Sequence, residues 1–301
     1  MSQFSDNNKP FIHDTHSTVF ESIQETEHYT MPDIAISRPG FKTKATSWPE
    51  AGSVIELKHE TDIFNKQGGT NNSEESSKAL TQIAKSARSL LISSRSCHVY
   101  VVACFQRGWA RILRFDRAGF RATSAFDWLE EPNIFPTFLH RLYNPPNGCR
   151  MDGDDDTISI PSSKEKANMF QSLIQHDFYH KEEQFSEEDA TKNSVWIKAV
   201  RFVDGADGKR AAEPVDCFTI GDDLSLADGL FGRATRVYRV ILKQDLYKDK
   251  PTVYALKVCS PRRTFDRILT ANFKGLLAAI LPQARGRFLR CNCEALREPR
   301  H

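Results

Sequence analysis

Two sets of residues in this 301-residue chain have the types and spacing to work on phosphate groups. In the first, Pro32-Asp33 opens one strand-like run and Glu56-Leu57-Lys58 closes the next. Side chains alternate along a strand, so Glu56 and Lys58 share a face, and Asp33 on the adjacent strand can meet Glu56. Two carboxylates so placed offer hard oxygen ligands to Mg²⁺, while Lys58 can orient a water and stabilise charge developing on a phosphate. In the second set, Gly229 and Gly232 lie in a stretch leading through a hairpin to Tyr254-Ala255-Leu256-Lys257-Val258. A glycine-bearing strand–turn–strand brings backbone N–H groups close to phosphates, and a lysine on the following strand adds a point charge.

These residues need elements to hold them. Asp33–Ile36 and Ser53–Lys58 read as short strands pairing as a hairpin across a Pro/Gly/Trp-containing connection. A helix follows, with Asn72 as cap, Glu75 reaching back, and Leu80, Ile83, Ala84, Ala87, Leu90 and Leu91 at helical spacing. Cys97–Phe105 reads as a buried strand, turned by Gln106-Arg107-Gly108 into Trp109–Phe115, and Ile134–Tyr143 as a short closing helix. The order is β-β-α-β-β. Residues 1–30 read as a polar arm, 31–143 as the first domain, 144–194 as an acidic, turn-rich connection, 195–272 as a second, antiparallel unit, and 273–301 as a basic tail. The fold class expected is therefore α+β.

The pattern P-D…(D/E)-x-K resembles that of restriction-endonuclease-like folds, which makes 31–143 a nuclease-like unit with Asp33, Glu56 and Lys58 as its site and Asp33 and Glu56 as metal ligands. Its helix carries Gln82-x-x-x-Ser86 where some such nucleases have Gln-x-x-x-Tyr. The plainer reading of the same residues is a hairpin whose charged side chains face water. Downstream, "GLFGRATRVYRV" followed by "YALKV", with "PDIAI", "ELK" and "FDRAGF" upstream, resembles the fungal-type protein kinase family over roughly residues 30 to 270. That resemblance implies a kinase N-lobe fragment with ATP and Mg²⁺ as cofactors, Lys257 on the phosphates, and Gly229 and Gly232 in the nucleotide-covering loop. Neither H-R-D nor D-F-G occurs in the sequence. The expectation is a catalytically incomplete kinase-like chain, truncated after the N-lobe, whose exposed N-lobe face is covered by a protein partner. The alternatives are a nuclease acting on nucleic acid and a noncatalytic interaction protein.

Composition narrows the field. A net charge of +2 gives no global pull toward nucleic acid or anionic membrane, so any such binding must be local. Seven scattered cysteines fit reduced thiols in an intracellular protein, cytoplasmic or nuclear. No apolar run approaches the ~20 residues of a membrane span. Asp152-x-Asp154-x-Asp156 lacks the glycine and bidentate Glu of a calcium loop and reads as a solvated turn. His176-x-x-x-His180 reads as a surface helix, Cys291-x-Cys293 as ordinary thiols, and the arginines from Arg285 to Arg300 as a solvated basic tail.

Overall fold

The computed structural model describes residues 9–20, 30–59, 62–64, 71, 73–144, 153–175, 185–204, 210–226, 230, 235–246, 248, 251–258 and the strand 288–290. The fold is α+β, built on two mostly antiparallel sheets, and the chain divides into two compact units. The first takes residues 1–155 with 228–232; the second takes 156–227 and 233–301.

The first unit is a sheet with a helix on each face. Its strands are β1 (Ile12–Asp14), β2 (Ile34–Ser37), β3 (Ala51–Leu57), β4 (His98–Cys104), β5 (Trp109–Asp116) and β6 (Gly119–Ala122), in that spatial order, with β7 (Phe126–Asp127) also on β5. Every adjacent pair is antiparallel except β3 and β4, which run parallel because helix α1 (Glu74–Ser94) crosses between them. Strand alternation sorts the core. Val54, Val101, Ala103 and Leu113 face Ile83, Ala87 and Leu90 of α1, whereas Ile55, Val102 and Ile112 face Leu139 and Leu142 of α2 (Ile134–Tyr143).

Several expectations change. Part of the supposed arm joins the fold: β1 pairs with β2, and Phe20 is fully buried edge-on to Trp48, because Ile12 and Phe20 supply apolar contacts that the polar composition hides. The cap of α1 is Ser73, whose hydroxyl accepts the Ser76 N–H at 3.1 Å; Asn72 lies outside the described residues. Asp154 is no solvated turn residue, since its carboxylate takes Arg38 Nη2 at 2.8 Å. Gly153 beside it sits at φ +80°, and an added Cβ would meet the His98 carbonyl oxygen at 1.9 Å, so only glycine fits.

The second unit starts inside what the sequence presents as a connection. Strand β8 (Ile158–Ser159), helix α3 (Ser163–Ile174) and helix α4 (Glu187–Thr191) precede β9 (Trp196–Asp204). A capping box between Ser162 and Glu165 starts α3, and Met169, Leu173 and Ala190 pack on Trp196, Phe218 and Ile241. The acidic composition masks this short apolar stripe. Strand β10 (Arg210–Leu226) is longer than its apolar middle predicts: its first half pairs with β9 and its second with β11 (Arg236–Leu242). Antiparallel to β11 runs β12 (Val253–Val258), which also pairs in parallel with β13 (Phe288–Arg290). The histidines at 176 and 180 and the cysteines at 291 and 293 lie outside the described residues. No described helix is long and apolar enough to cross a membrane.

Candidate functional site

The β2–β3 hairpin sets the first site. Its register pairs Ile34 with Ile55, and one step further places Asp33 opposite Glu56. Glu56 has the alternation of Val54, so its side chain points at α1, where an apolar residue would be expected. It is fully buried, at 0 % exposure. Its Oε1 accepts the Ser86 hydroxyl from α1 at 2.6 Å, and its Oε2 accepts Lys58 Nζ at 2.8 Å.

Lys58 is buried as well, with 6 % of its side chain exposed, and its ammonium also lies 3.7 Å from Asp33 Oδ2. That oxygen accepts the Leu57 backbone N–H at 2.7 Å, which ties the aspartate to the end of β3. Asp33, Glu56 and Lys58 thus converge, and a helix hydroxyl fixes the fourth side. Burial raises the Glu56 carboxyl above its ordinary value, while Lys58 and Ser86 pull the other way. A charge this deep is expensive unless paired, and Lys58 and Ser86 supply the pairing.

Ser86 is the member whose role the sequence conceals. It occupies a core-facing position of α1 beside Ile83, Ala87 and Leu90, and a buried serine on an apolar stripe is the signal that a polar partner waits opposite. Gln82, one turn earlier, is exposed and stays out of the cluster.

The same sheet face continues into a second pair. Arg111 stands two strands from Glu56 through the Glu56–Ala103–Arg111 register, and its guanidinium forks onto Asp62, with Nη2 to Oδ2 at 2.6 Å, and lies over the Phe64 ring. Among the described residues, no group of three or more His, Cys, Asp or Glu forms a metal cluster. Burial pushes the Cys104 thiol up to about 11 and that of Cys217 up to about 12, so neither is a nucleophile near neutrality.

In the second unit, Lys257 lies on β12 opposite Val237, half-buried. Strands β10, β11 and β12 are consecutive and antiparallel, with the glycine-bearing segment joining the first two. Gly229 and Gly232 fall outside the described residues. Leu230 between them belongs to the first unit, where it packs on the α1-side core and its carbonyl accepts Arg117 Nη1 at 3.5 Å. Comparisons with protein-family models, with curated proteins and with solved structures return no match for this chain.

Proposed function

We propose that the first unit is a metal-dependent nuclease whose site is Asp33, Glu56 and Lys58. One observation carries this reading: two carboxylates from neighbouring strands meet at a buried lysine whose ammonium stands 2.8 Å from one and 3.7 Å from the other. The fit to a divalent cation is supported by the donors themselves. Both are hard carboxylate oxygens, which suit Mg²⁺, and the Lys58 ammonium already occupies the space between them as a cation. Asp33 and Glu56 would hold the metal, which supplies Lewis acidity and a more acidic bound water.

The protein's own groups do the rest. Ser86 fixes the Glu56 carboxylate through Oε1, and the Leu57 N–H fixes Asp33. Lys58, once its hold on Glu56 loosens, places a positive charge where a phosphate accumulates negative charge, in a setting that water screens poorly. Mg²⁺-dependent cleavage of DNA or RNA by the full chain tests this reading. Glu56→Ala is expected to abolish cleavage, and activity unchanged by that substitution sinks the proposal.

A second reading concerns the second unit and rests on the strand order. Three consecutive antiparallel strands with Lys257 on the third match the arrangement in which a kinase N-lobe contacts ATP, as the resemblance to fungal-type protein kinases implies. Lys257 would contact the nucleotide phosphates, and a protein partner would cover the remaining face of the second unit. ATP binding by the purified chain that is lost in Lys257→Met supports it; absence of nucleotide binding removes it.

A further inference from the structure

Beside Asp33 the first unit opens a cavity of about 330 Å³, whose wall carries His13, Asp14, His16 and Asp33 along with Ile34 and Leu57. That volume falls within the range of small-ligand pockets and suits a phosphate with its attached sugar. The two histidines differ in what they can do there. The Nε2–H of His13 donates to the Ala45 carbonyl at 2.6 Å, which commits that ring to the fold. His16 is tethered by its other nitrogen: Nδ1–H donates to Asp14 Oδ1 at 2.5 Å, and the same oxygen accepts the His16 backbone N–H at 3.0 Å. Its Nε2 makes no hydrogen bond among the described residues.

An exposed His–Asp pair contributes little to stability, and the His16 side chain is 67 % exposed. What distinguishes this pair is a cavity wall shared with Asp33. Among the described residues, the titratable groups that line this cavity with His16 are His13, Asp14 and Asp33. The bond to Asp14 raises the pH to which its imidazolium persists.

We infer, on the nuclease reading above, that His16 is the general acid for phosphodiester cleavage and that Asp14 is its positioning residue. As the water oxygen forms its bond to phosphorus, the bond from phosphorus to the leaving sugar oxygen breaks. That oxygen takes the Nε2 proton of His16 and departs as an alcohol; the proton lost by the water passes to solvent, from which His16 is recharged. Asp14 holds the ring through Nδ1 at the cavity wall, which leaves Nε2 for the substrate, and stabilises the imidazolium.

The test uses the full chain with Mg²⁺ and two oligonucleotides, one ordinary and one with sulfur in place of the leaving sugar oxygen, since a thiolate departs without a proton. His16→Asn is expected to slow ordinary cleavage about 100-fold, with less than ~3-fold effect on the sulfur substrate. Asp14→Asn is expected to lower the pH at which the rate on the ordinary substrate falls off, because its imidazolium loses its proton earlier. Equal loss on both substrates, or on neither, overturns the role of His16. Glu56→Ala should abolish cleavage of both substrates; if the wild-type chain cleaves neither, or Glu56→Ala still cleaves both, the nuclease reading itself falls, and the assignment of His16 with it.

Discussion

The carboxylate cluster in the first unit and the Lys257 strand in the second each present a lysine near a strand end, yet their physical settings differ. Lys58 folds its side chain onto two carboxylates, one of which, Glu56, also takes a helix serine and fills a core position where an apolar side chain would pack more cheaply. Lys257 is half-buried on β12, and the loop that would give it meaning carries glycines outside the described residues. The difference teaches where function can be read. A buried, converging set of charges is an arrangement that folding alone has no reason to keep, whereas a lysine in an antiparallel sheet is compatible with many roles.

Breaking the buried cluster gives the largest expected effect. Lys58→Met leaves Glu56 buried without its cation, and a loss of ~3–5 kcal/mol is expected in denaturant unfolding, accompanied by weaker hydrogen-exchange protection in β3. The double substitution Glu56→Gln with Lys58→Met should lose less than Lys58→Met alone, because no uncompensated charge remains. A Lys58→Met protein as stable as wild type would contradict the buried pair.

Ser86→Ala sharpens the same contrast at smaller scale. Removing a hydroxyl that donates to a carboxylate is expected to cost ~1.5–3 kcal/mol, and it should raise the Glu56 carboxyl further. In the second unit, Ser162→Ala removes one arm of the capping box of α3 and should cost ~1 kcal/mol, read from the same unfolding curves. Lys257→Met, in the other unit, is expected to leave Mg²⁺-dependent cleavage untouched. A large effect of Lys257→Met on cleavage would erase the distinction between the two regions.

Acidity provides another check. Burial raises Glu56 above its ordinary value of 4.5, so the folded state holds that proton more tightly than the unfolded chain does. Its contribution to stability is complete below that ordinary value and is lost as pH rises through the raised one. Glu56→Gln, which cannot ionise, should flatten this part of the stability curve; a curve identical to wild type would show that Glu56 titrates normally.

Much of the first unit was legible because its signals are local and periodic. The alternation in Ser53–Lys58, the helical spacing from Leu80 to Leu91 and the apolar run of β4 each point to one element, and together they fix which residues face α1. Asp33, Glu56 and Lys58 could be gathered from that pattern because a hairpin register is nearly enough to place them. Ser86 stood out as a serine on the apolar stripe of α1 and as the last residue of Gln82-x-x-x-Ser86, but which strand residue it meets depends on how α1 lies on β3. The Asp14–His16 pair lay in a segment whose polar composition reads as an arm, and only its pairing with β2 brings it beside Asp33. The helix at 163–174 was hidden because its apolar stripe is short, and that at 187–191 because Glu187, Glu188 and Asp189 are exposed, while Met169, Leu173 and Ala190 pack inward. At Lys257 the sequence supplied a resemblance, and the glycines that would complete its site lie outside the described residues, whereas Asp33, Glu56 and Lys58 are all described and converge.

The most direct measurement is Mg²⁺-dependent cleavage of an oligonucleotide by the wild-type chain and by Glu56→Ala and Asp33→Ala variants, with folding of each checked by circular dichroism. The expected result is cleavage by wild type and a loss of at least ~100-fold in both variants; folded variants that cleave as fast as wild type would contradict the assignment of this cluster as the site.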